Sequence, residues 1–238
     1  MYVFFRLSFG EEAALAGAFL FNFAPYRILN IYARGALPEF FSSVFVPIIL
    51  IGIFTAFKKR NALGLFFISG GIALLTLTHP MMLLVNTVVL LPYFACVLLP
   101  IRNWRHTLRD CGIFALTCAV GLLMTSYYTL PLTQELQFFY QGVGNKNHLA
   151  PNNYLGIHNF LTPEIWPYFY QNQVGMRGQF FQVGIFESFI LIIGIIASVF
   201  LRKRGKKSGL AHVFLCIGVL SLFFTMSASA FLYTHLHM

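Results

Sequence analysis

Four side chains stand where they can act on an anionic, membrane-held substrate: Arg27, Arg34, Glu39 and His79. On a helix, Arg27, Asn30 and Arg34 share one face and Leu29, Tyr32 and Ala36 share another. An arginine so placed has two uses. It grips a phosphate through a bidentate hydrogen bond, or it snorkels to lipid headgroups. Glu39 follows Pro38 at the head of an apolar run, where a carboxylate either answers the helix dipole or serves as a base or as a partner of Arg34. His79 lies in the turn Thr78-His79-Pro80, where imidazole can donate, accept or titrate, or can cap the helix before Pro80. Glu187 falls about one turn inside a later apolar run, and ionisable groups there are functional candidates by default. Glu39 and His79 are therefore read as the catalytic candidates. Arg34, Arg27, Tyr32 and Glu187 are read as the substrate-binding set.

The elements that must position these residues follow from composition. Of 238 residues 58% are hydrophobic and 10% charged. A soluble domain needs about a quarter of its residues charged, so too little polar material is present to cover a globule. Apolar runs of about twenty residues, the length that crosses a hydrocarbon core about 30 Å thick, recur along the chain. The expected fold is all-α, a polytopic transmembrane bundle of about six to seven spans forming one integral membrane domain over residues 1–238.

Met1 to Phe9 reads as the last turns of a helix, stopped by Gly10-Glu11-Glu12. The spans run Ala13 to Ala24, Pro38 to Phe57, Ala62 to Leu77, Met81 to Leu99, Cys111 to Leu130, Val183 to Leu201 and Leu210 to Tyr233. Tyr26 to Gly35 is an amphipathic helix lying along the outer membrane face. Residues 132–182 are expected to form a polar extracytoplasmic loop, rich in Gly, Asn and Tyr and carrying Trp166.

Sidedness follows from charge. With Arg6 and the clusters Lys58-Lys59-Arg60, Arg102 to Arg109 and Arg202 to Lys207 in the cytoplasm, twelve basic residues lie inside against four outside: Arg27, Arg34, Lys146 and Arg177. The alternation closes without conflict and predicts a multi-pass protein of the cell (inner) membrane. The net charge of +9 is dispersed among these loops rather than gathered in one patch, which argues against nucleic-acid binding. Cys96, Cys111, Cys118 and Cys216 fall within or beside apolar runs and read as small hydrophobes. His235-Leu236-His237 is too sparse for a metal site, and no metal or cofactor is expected. Both chain ends read as cut, so a longer parent protein is expected.

The run Ala24-Pro25-Tyr26-Arg27-Ile28-Leu29-Asn30-Ile31-Tyr32-Ala33-Arg34-Gly35-Ala36-Leu37-Pro38-Glu39, with Val46-Pro47 and then Leu77-Thr78-His79-Pro80, resembles a bacterial membrane-protein family. That family carries the label 6-pyruvoyl-tetrahydropterin synthase-related. The label implies no pterin activity, since a pterin synthase is a soluble zinc enzyme and this chain offers no three-histidine site. In multi-span architecture the chain is similar to C-type glycosyltransferases, which use polyprenyl-phosphate sugars on the outer membrane face. The resemblance implies that Arg34 faces a lipid phosphate and that Glu39 and His79 line the same cavity.

One departure matters. Such transferases are expected to carry a catalytic acid, usually aspartate, in an early external loop. The only aspartate here is Asp110, which the topology puts in the cytoplasm. The external carboxylates are Glu39, Glu135, Glu164 and Glu187. Three readings follow: a glycan-assembly enzyme using a lipid-linked sugar, a transporter of lipid-linked substrates, or a non-catalytic membrane subunit or fragment.

Overall fold

The computed structural model describes residues 1–32, 35–98 and 104–139, together with Ile192, Ile193, Leu215, Gly218 and Val219. Every described element is helical: α1 (Tyr2–Phe9), α2 (Glu11–Phe23), α3 (Pro25–Tyr32), α4 (Leu37–Ile53), α5 (Leu63–Thr78), α6 (Pro80–Leu98), α7 (Trp104–Leu123) and α8 (Ser126–Phe139). A π-helical turn, Phe54–Lys58, extends α4. Leu37–Lys58, Pro80–Leu98 and Trp104–Leu123 are long and apolar enough to cross a membrane. By length and composition this is a membrane protein. The spans expected at Val183 to Leu201 and Leu210 to Tyr233 lie outside the described residues, as does most of the expected loop 132–182.

Contacts divide the chain into two units. One holds Met1–Phe21 and Ala36–Gln141, the other Asn22–Gly35 and Gly142–Met238. In the first unit, α4 and α5 form a close antiparallel pair whose seam is made of small residues. A Cβ on Gly52 would stand 2.9 Å from the Gly64 carbonyl oxygen and 3.0 Å from the Ile68 nitrogen, and one on Gly71 would stand 2.6 Å from Ile49 Cγ1. A Cβ on Gly64 would run into the Ala56 backbone nitrogen. Without a hydrophobic drive between helices in lipid, such close backbone approach is what gives packing its strength. The helix α7 joins through Gly121, whose Cβ would meet the Ser69 carbonyl oxygen at 2.7 Å.

Three rings fasten the end of the bundle where α4 turns into α5. Phe94 stacks on Phe114 with centroids 4.0 Å apart, and Phe57 meets Phe94 edge-on at 5.0 Å. From α1, Phe4 packs edge-on against Tyr93 at 5.5 Å, and both are buried. At Gly10, φ is +99°, a conformation open to glycine, which lets α2 fold back so that Gly17 lies against the Phe5 ring.

The structure corrects three boundaries. The expected span Cys111 to Leu130 is two helices, broken at Met124-Thr125. There the Thr125 hydroxyl donates to the Leu122 carbonyl, and the Thr125 carbonyl accepts from the Tyr128 and Thr129 amides, starting α8. At its other end, the segment read as a cytoplasmic loop to Arg109 is already helix from Trp104. Its polar residues fill the exposed side, while Asp110, Phe114, Thr117 and Gly121 form the buried stripe at helical spacing. Likewise, the polar stretch expected as loop from residue 132 opens on helix, since α8 runs to Phe139.

Candidate functional site

Antiparallel pairing brings Glu39 and His79 to one end of the first unit. Ala56 opposes Gly64, Gly52 opposes Ile68 and Ile49 opposes Gly71. Carried about two turns further, this register sets Ser42 level with Thr78 and leaves Glu39 about half a turn from the level of His79. Pro38 supplies the fixed φ that opens α4, and Glu39 sits in its first turn. Ser42 Oγ donates to the Glu39 carbonyl at 2.6 Å, so the first turn of α4 is tied by its own side chains.

His79 joins two helices through its backbone. Its N–H donates to the Leu75 carbonyl at 3.0 Å, closing α5, and its carbonyl accepts from the Met82 amide at 3.0 Å, opening α6. Its extended backbone (φ −162°, ψ 97°) is what the following Pro80 demands. Because the backbone does the capping, the imidazole is left for other work. Its buried Nδ1 has no hydrogen-bond partner among the described residues.

In the second unit, two polar residues of α3 are buried. Arg27 is 8% exposed and Asn30 2%, whereas Tyr32 is 73% exposed. Burial lowers the pKa of the Arg27 guanidinium, which nevertheless stays cationic. Arg34 and Glu187, and with them Glu164, lie outside the described residues.

A second polar constellation escaped the sequence reading. At the opposite end of the first unit, Arg60 Nη1 stands 2.8 Å from both oxygens of Asp110, and Arg109 Nη2 lies 3.4 Å from Oδ1. Asp110 is fully buried. Arg60 has φ +56° after the π-helical turn, and the Asn61 amide closes on the Thr55 carbonyl at 3.1 Å. A left-handed residue there is normally glycine or asparagine. The one signal for this pair was Asp110 standing on the same helical stripe as Phe114, Thr117 and Gly121.

Among the described residues, Cys96, Cys111 and Cys118 form no disulfide, and Cys111 is exposed. Comparison with protein-family models, curated proteins and solved structures finds no match to the chain.

Proposed function

We propose that this integral membrane protein handles a lipid-linked phosphate substrate at its Glu39/His79 end, in the manner of a glycosyltransferase using a polyprenyl-phosphate sugar. The observation that supports the reading is the α4–α5 register, which sets the backbone positions of Glu39 and His79 within about half a turn of one level at the same end of the first unit. The basic turn Lys58-Lys59-Arg60 lies at the other end, so the positive-inside rule assigns the Glu39/His79 end to the extracytoplasmic face of the inner membrane.

In this reading Arg34, with Arg27, holds the phosphate, and Tyr32 and Glu187 contact the rest of the donor. Glu39 or His79 removes the proton from an acceptor hydroxyl. The acceptor oxygen bonds to the sugar's anomeric carbon. The bond from that carbon to the phosphate oxygen breaks, and polyprenyl phosphate leaves with the electron pair. The test is binding of a polyprenyl-phosphate sugar to the chain in nanodiscs, against plain polyprenol and against Arg34→Ala. Phosphate-dependent binding that the variant loses supports the reading. Equal retention of polyprenol and its phosphate overturns it.

A second reading is a non-catalytic membrane subunit. It is favoured by Asp110: the only aspartate of the chain is held in an ion pair at the basic end, away from Glu39 and His79.

A further inference from the structure

By length and composition Trp104–Leu123 suffices to cross a membrane, but its neighbours fix its depth differently. Asp110 is bonded to Arg60, fifty positions back, and a Cβ on Gly121 would meet the Ser69 carbonyl oxygen and Ile72. The helix α7 therefore runs parallel to α5, offset by about fifty positions. The turn Lys58-Lys59-Arg60 carries three exposed cations, so it stands at a membrane surface, and Asp110 stands there with it. At 1.5 Å per residue Leu123 lies only about 20 Å beyond Asp110, short of a hydrocarbon core of about 30 Å. The same offset sets the break at Met124-Thr125 level with Leu74-Leu75, about one turn short of His79.

We propose that the chain crosses here as a broken helix, with the break inside the hydrocarbon and the first turns of α8 forming a phospholipid-contacting surface at the membrane boundary on the His79 side. The break is built for a place without water. Thr125 is fully buried, and its hydroxyl and its amide both donate to the Leu122 carbonyl, at 2.8 and 3.0 Å. The Met124 amide donates to the Val120 carbonyl, and the Thr125 carbonyl accepts from the Tyr128 and Thr129 amides. Around it Leu122, Leu123, Met124 and Leu130 are exposed, as contact with acyl chains requires. Tyr127 and Tyr128, exposed and level with the last turn of α5, fit the boundary, where rings meet chains and hydroxyls meet headgroups. Pro131 has no N–H to give the Tyr127 carbonyl, and water among the headgroups can serve it there. Thr133, Gln134 and Glu135 are polar and exposed, and mark the exit into water. This surface is independent of the function proposed for Glu39 and His79.

The experiment places a single tryptophan at Leu123, Tyr127 or Gln134 of the full chain, with the two native ones, Trp104 and Trp166, replaced by phenylalanine. All three positions are exposed, so packing is kept, and thermal unfolding of each variant checks it. In vesicles of brominated phosphatidylcholine, Leu123→Trp is expected to be quenched most by bromines deep in the chains. Tyr127→Trp is expected to be quenched most by bromines near the headgroup. Acrylamide in the water is expected to quench Gln134→Trp about fivefold more strongly than Leu123→Trp. Equal acrylamide quenching at those two positions would put the break in water and overturn the proposal. So would Tyr127→Trp lying deeper than Leu123→Trp. A Tyr127→Trp that no bromine reaches also overturns it, because another helix or a second copy then covers that face.

Discussion

Arg60 and Asp110, fifty positions apart, meet at 2.8 Å with the carboxylate fully buried and the guanidinium about half exposed. The asymmetry decides what each contributes. Water reaches the cation, so the pair is weaker than one buried on both sides. The anion has no such recourse, and without Arg60 it is left with Arg109 at 3.4 Å.

Arg60→Ala is therefore expected to destabilise the first unit by about 2 kcal/mol, below the 3–5 kcal/mol of a fully buried pair. Arg60→Gly, which relieves the left-handed backbone, should recover up to about 1 kcal/mol of that. Asp110→Asn should lose less than Arg60→Ala, because it leaves no stranded charge. Reversible unfolding in detergent micelles measures all three. The hydrogen bond from Arg60 to Asp110 raises the arginine's pKa. Its contribution is thus complete below the ordinary arginine value and fades only as pH rises through the raised one, so no loss is expected on the cation's account at neutral pH.

The helix seam makes a sharper contrast. A methyl on Gly64 meets backbone atoms of Ala56 and Gly52, which cannot yield as a side-chain tip would. Gly70, next to Gly71 in sequence but rotated about 100° from it around the helix, has nothing within 4 Å of its Cβ position. Gly64→Ala is expected to cost about 1–3 kcal/mol through forced separation of α4 and α5. Gly70→Ala should be neutral or slightly stabilising, by up to about 1 kcal/mol, since alanine is the better helix former. Similar losses at both positions would mean that the close approach carries no special weight.

Much of the frame was legible because proline and charge mark helix ends directly. Pro38 opens α4, Lys58 closes its π-helical extension, and Thr78-His79-Pro80 forms the turn it was expected to form. The start of α7 was hidden because a polar run reads as loop when its polarity is counted and its phase is not. Asp110 looked like a loop residue for the same reason. Its partner could not be read at all, since a contact over fifty positions depends on α5 and α6 each reversing the chain. Arg27 was legible as a residue on a polar face, but the direction of that face was not. Sequence gives the two faces of a helix, and only packing decides which one turns inward.

The Glu39/His79 pair makes a prediction separable from folding. If Glu39 or His79 handles the acceptor proton, Glu39→Gln and His79→Gln should reduce transfer of a lipid-linked sugar by about 10²- to 10⁴-fold. Binding of the polyprenyl phosphate should be kept, because neither substitution removes a guanidinium. The two backbone hydrogen bonds of His79 do not involve its ring, so the α5–α6 turn should survive in His79→Gln. Single-turnover transfer and binding, measured on the same preparation, distinguish the outcomes. Loss of binding together with transfer would make both residues structural.

Sidedness rests on the basic turn and the His79 turn lying on opposite faces of the bilayer, and α5 is the helix that separates them. At 1.5 Å per residue its 16 residues span about 24 Å, short of a hydrocarbon core of about 30 Å. The neighbouring α4 and its π-helical turn, at 22 residues, are long enough to cover the full thickness, so the proposed topology has α5 cross beside a longer partner with its two turns drawn slightly inward. Single cysteines placed in a background lacking the four native ones test this. Met81→Cys, exposed in the first turn of α6, should react with a membrane-impermeant maleimide added to intact cells. Lys59→Cys should react only after the membrane is opened. Reaction of both from one side would show that α5 does not cross, and the reverse order would invert the assignment of the Glu39/His79 end while leaving the packing untouched.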